Sequence, residues 1–132
     1  MLDKSGNWID RMRELAALNA DFRVVVLFEN EKCGADAFRV TWRLLAAIKR
    51  GTRVDVRLWQ CETMKDEGNW KQLHSDLADA TAIIIAAKDD TALRSSLRQC
   101  KRGLSAETEN GKLVVAVLER GIPFLLQSQL TR

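Results

Sequence analysis

The chain predicts an α/β fold with a mainly parallel sheet covered by helices on both faces. Three observations carry that expectation. The runs "FRVVVLF" at 22–28, "TAIIIAA" at 81–87 and "KLVVAVLE" at 112–119 are short, continuous and apolar, as strands buried on both faces are. Stretches of helical periodicity separate them, and strands alternating with helices make βαβ units with right-handed crossovers. A further strand, "RVDVRLW" at 53–59, sets Val54, Val56 and Leu58 alternately with Arg53, Asp55, Arg57 and Trp59, the pattern of a sheet edge. The strand order that places it at the edge, with strands one and three inside, is 2-1-3-4. The return of the chain adds a possible fifth strand.

The 132 residues form one domain, of a size that buries about two thirds of the surface its unfolded chain exposes. It divides into an N-terminal helix within 1–21, a βα core over 22–118 and an apolar tail over 119–132. Residues 7–19 place Trp8, Ile9, Met12, Leu15 and Ala16 at helical spacing, with Ser5 or Asn7 to cap the first turn. After the first strand and an acidic turn, residues 35–49 put Phe38, Thr41, Trp42, Leu45 and Ile48 on one face, so Trp42 is expected in the core. That helix stops near Lys49, Arg50 and Gly51, with cations and then glycine at its end.

From Asn69 to Asp79, Trp70, Leu73, His74 and Leu77 share a helical face. Trp70 is expected in the core, and His74, with no partner at a catalytic spacing, as a hydrogen-bonded structural histidine. Asp89 or Asp90 caps the next helix, whose apolar face is Leu93, Leu97 and Cys100. In the tail, three residues separate Leu118 from Ile122, too few for a crossover helix. Residues 122–130 form either a short last helix or an antiparallel strand beside strand four, and the strand is the preferred reading. A tail this apolar needs cover, which a two-fold homodimer through the tail or the edge strand supplies. The interface candidates are Trp59, Phe124 and Leu125.

Charge and cysteine usage narrow the function classes. Net charge is +3, from 21 basic and 18 acidic side chains interleaved along the chain, so no nucleic acid partner is expected. Arg94, Arg98, Lys101 and Arg102 form a basic stripe that reads as a solvated helix face. The longest apolar runs fall far short of the roughly 20 residues that span a bilayer, and the N-terminus has no apolar signal core. The expected location is the cytoplasm, with the thiols reduced. Cys33, Cys61 and Cys100 with the single His74 make neither a disulfide framework nor a four-ligand zinc site. No cofactor is expected.

In an open α/β sheet the ligand crevice lies beyond the carboxyl ends of the strands, where the strand order reverses. Order 2-1-3-4 puts it between strands one and three. Its candidate residues are Glu29, Asn30, Glu31, Lys32 and Cys33 after strand one, Lys88, Asp89 and Asp90 after strand three, and Glu119 and Arg120 after strand four. "RVVVLFENE" with the helix after it and "TAIIIAAKDD" resemble the flavodoxin-like and response-regulator receiver folds over residues 22–118. The pairing of "VRLWQ" with "ADATAIIIAA" is similar to a group of short uncharacterised bacterial proteins of that architecture.

The resemblance implies a magnesium-binding acidic pair at the end of strand one and a phosphate-accepting aspartate at the end of strand three. Here Phe28 and Glu29 stand at the first place and Ala87, then Lys88, at the second, so phosphotransfer is not carried over. A flavodoxin-type phosphate loop needs Ser, Thr and Gly, whereas "ENEKCGADA" sets carboxylates where the anion would sit, which disfavours the flavin or nucleotide alternative. "CGADAFR" spaces Cys33 and Arg39 as in low-molecular-weight phosphatases and arsenate reductases, with Asp89 as a candidate acid. Against that alternative, Cys33 lies well past the strand end and its loop lacks hydroxyls. The expected function is a non-catalytic regulatory or protein-interaction module, a degenerate receiver whose protein partner is unknown.

Overall fold

A computed structural model describes residues 4–18, 21–48, 51–61, 67–102 and 113–125. Helix α1 (Lys4–Ala17) leads into β1 (Asp21–Phe28), then α2 (Glu31–Ala47), β2 (Arg53–Gln60), α3 (Glu67–Asp79), β3 (Ala82–Ala87), α4 (Asp90–Arg102), β4 (Leu113–Leu118) and β5 (Phe124–Leu125). The sheet order is β2-β1-β3-β4-β5. β1 to β4 are all parallel, with Val24 beside Val56 and Ala82, and Ile84 beside Val115. The predicted 2-1-3-4 order is therefore present. The tail turns back as a strand, β5, antiparallel to β4 with Ala116 beside Phe124; residues 126–132 lie outside the described part.

Two apolar layers hold the sheet between helices. Alternate strand residues Val24, Val26, Ile84, Val115 and Val117 face α1 and α2, meeting Trp8, Met12, Ala37, Val40 and Leu44. Val25, Leu27, Ile83, Ile85 and Val114 face α3 and α4, meeting Leu73, Leu77, Leu93 and Leu97. Strands buried on both faces read as unbroken apolar runs for this reason. The crossovers through α3 and α4 fall on one side; on the other, α2 covers β1 and β3, and α1 packs over β4 and β5.

Three expectations about the helices are corrected. α1 is already helical at Lys4, so Ser5 and Asn7 lie inside it and not at its start. α2 begins at Glu31, one turn before residue 35, because Asn30 takes extended angles (φ −152°, ψ −177°) and caps it. The buried face of α2 is Cys33, Gly34, Ala37, Val40, Thr41 and Leu44. Phe38 and Trp42 are instead 50% and 70% exposed. The small side chains let the helix sit close on the sheet, and the bulky stripe rotates toward the uncovered edge at β2. Trp70 is partly buried against the α3/α4 layer.

The β4–β5 turn is tight. Arg120 sits in the left-handed region at φ 56°, and the Gly121 amide donates to the Leu118 carbonyl at 2.7 Å.

Candidate functional site

The carboxyl ends of β1, β2, β3 and β4 border a cleft of about 400 Å³ lined by Asn30, Glu31, Lys32, Cys33, Gln60, Lys88 and Glu119. Four of its residues are charged, two of each sign. Each lining residue follows from an element end. The parallel register sets Gln60 beside Phe28, at the rim, and the Glu29 amide donates to the Ala86 carbonyl at 3.2 Å, extending the β1–β3 ladder into the turn.

Three amides at this rim, those of Cys33, Gly34 and Lys88, have acceptors within the chain. Asn30 Oδ1 accepts the Cys33 N–H at 3.2 Å, and the Asn30 carbonyl accepts the Gly34 N–H at 3.2 Å. Across the switch point, Glu29 Oε2 accepts the Lys88 N–H at 3.1 Å. A carboxylate of the chain itself thus sits where these folds offer backbone donors to an anion.

The thiol and guanidinium of "CGADAFR" are both occupied by structure. Cys33 is buried in the first turn of α2, and burial pushes its thiol above the ordinary value of 9.0. Hydrogen bonding from the Asn30 backbone opposes the shift, while the nearby Glu29 and Asp36 carboxylates add to it. That is the reverse of an activated thiolate. Arg39 Nη2 donates to Asp36 Oδ1 and to the Gly121 carbonyl, both at 3.0 Å, and Asp36 Oδ2 accepts the Arg120 N–H at 3.2 Å. Arg39 and Asp36 fasten the β4–β5 turn to α2.

Asp89 caps α4, its Oδ1 accepting the Ala92 N–H at 2.9 Å. Asp90 pairs with Arg94 at 2.9 Å one turn along. The cleft therefore brings together Asn30, Glu31, Lys32, Cys33, Lys88 and Glu119 from the expected set. Asp89 and Asp90 serve the helix, and Arg120 the turn. Gln60 was not anticipated, although its place one residue past "RVDVRLW", at the same strand end, marks it in the sequence. Among the described residues no three His, Cys, Asp or Glu side chains converge to hold a metal ion.

Other expected residues lie elsewhere. Trp59 packs against the α3 layer and donates from Nε1 to Asp76 Oδ2 at 2.9 Å. Phe124 is half-buried on the same side; the side chains of Leu125 and Cys100 lie outside the described part. Of His74, expected as a hydrogen-bonded structural histidine, Nε2 is buried with no partner among the described residues, and the ring is tilted against Trp70 at 5.5 Å. On the opposite face, an apolar groove of about 170 Å³ runs between α2 and β2, lined by Phe38, Thr41, Trp42, Leu45, Val56 and Leu58. Compared with family models, with curated proteins and with solved structures, the chain matches none.

Proposed function

We propose that this domain acts by binding, as a non-catalytic regulatory or protein-interaction module resembling a degenerate receiver. The observation that carries the proposal is the contact from Glu29 Oε2 to the Lys88 amide, which fills the switch-point donor with a carboxylate of the chain. A buried, proton-retaining Cys33 and an Arg39 committed to the Gly121 carbonyl support it further. Neither group is poised for nucleophilic attack or for gripping an oxyanion. The free thiols Cys33 and Cys61 suit a reducing cytoplasm.

Three measurements on the purified chain test the proposal. Alkylation of Cys33 as a function of pH is expected to show no activated thiolate at neutral pH, and aryl phosphate is expected to stay intact. Turnover abolished by Cys33→Ser would overturn it. So would a flavin or nucleotide absorbance that survives purification.

A further inference from the structure

The β2 edge carries a chemical pattern that reads the same in both directions about its middle. Written from either end of Val54–Leu58, the strand runs apolar, charged, Val56, charged, apolar, and the two charges are opposite in sign. β2 is the last strand of the described sheet on its side, paired with β1 alone, so over Val54–Leu58 no other strand lies beside its outer edge among the described residues. Large apolar side chains stand in water here: Trp42 and Phe38 of α2 are 70% and 50% exposed, and Leu58 of β2 is 47% exposed.

We infer that β2 pairs antiparallel with β2 of a second copy about a two-fold axis through Val56, joining two sheets into one. The inference rests on the domain being a binding module and names its partner. In that register Val56 faces Val56 of the second copy, and Val54 faces Leu58, both on the α2 side. On the α3 side Asp55 faces Arg57 twice over, and Arg53 meets the Trp59 ring.

Sliding by one step of the side-chain period places Asp55 opposite Asp55, or Arg57 opposite Arg57. Like charges directly opposed in a sheet are destabilising, so charge selects the register. Within one chain Asp55 and Arg57 lie 3.3 Å apart, with half-exposed side chains, and can turn outward to the second copy at little cost. The same axis brings the two copies' Phe38 and Trp42 stripes side by side over the joined strands, covering the apolar groove. An isologous contact of this kind closes at two copies.

Sedimentation or light scattering of the full chain tests it. The wild type is expected to shift with concentration toward twice the chain mass of 14.9 kDa. Asp55→Arg and Arg57→Asp should each weaken self-association by about tenfold or more. An equal mixture of the two variants should restore the double-mass species, because every facing pair is then of opposite charge. Trp42→Ser should weaken association with little loss in the denaturation midpoint read at concentrations where both proteins are monomeric, which keeps the test apart from misfolding. A wild type that stays monomeric at every concentration, variants that associate as the wild type does, or a mixture that stays monomeric would overturn the inference. So would an edge occupied by another protein's strand in preference to a second copy. Thiol reactivity and turnover at the cleft are unaffected by any of these outcomes, so the two proposals fail separately.

Discussion

Asn30 decides where the second helix starts, and with it the chemistry of Cys33. Its side chain accepts the Cys33 amide at 3.2 Å, and Asn30→Ala is expected to cost about 1 kcal/mol, read as a shift in denaturant midpoint. Cys33 sets a pH dependence. Its folded pKa is raised above that of the unfolded thiol, and so is that of Cys61, where burial again dominates and the Ser96 hydroxyl opposes it. A raised pKa means the folded chain holds these protons longer. The stabilisation is complete below the unfolded value of 9.0 and is lost as pH rises through the folded values. Unfolding midpoints should be insensitive to these thiols up to about pH 8 and fall above 9, less steeply in Cys33→Ser. Flat behaviour of the wild type through that range would contradict the burial of the thiols.

The strands were legible as elements because each is apolar on both faces, or, in β2, on one. The order of the four parallel strands followed from that difference, while their register did not. Helix α2 was harder. Its largest apolar residues, Phe38, Trp42 and Leu45, form a stripe at the right period, and the stripe against the sheet is the adjacent one of smaller side chains, Cys33, Ala37, Val40 and Leu44. Periodicity finds a helix but not which of two neighbouring apolar stripes lies inward, since that depends on how close the helix must come to the strands. The turn before β5 hides another device. Asp36, with only 14% of its side chain exposed, takes both Arg39 and the Arg120 amide, so Asp36→Ala should cost about 1–2 kcal/mol. Arg120 holds a left-handed φ of 56°; Arg120→Gly removes that strain against a larger entropy loss, and should leave stability level or raise it by up to about 1 kcal/mol.

At the scale of the molecule, the fold is a parallel sheet whose two faces are covered by different means. The crossover helices α3 and α4 cover one; on the other, α2 is joined by α1, which precedes the sheet in sequence and packs Trp8, Met12 and Ala16 at the β4–β5 end. Trp8 is fully buried, with its indole Nε1 unpartnered among the described residues and Arg43 stacked 5.7 Å from its ring. Trp8→Ala should cost about 3–5 kcal/mol, while Trp8→Phe, which also removes the unpartnered donor, should cost far less. The position of the cleft was legible from the strand order alone. What the cleft does with its own donors was not, because a carboxylate reaching from Glu29 across to the Lys88 amide is a tertiary contact with no local pattern. That contact is the centre of the account, and a phosphate titration followed at the Lys88 backbone amide by NMR tests it most directly. The wild-type amide should stay unmoved, and Glu29→Ala should make it responsive; a saturable phosphate shift at Lys88 in the wild type would contradict the account.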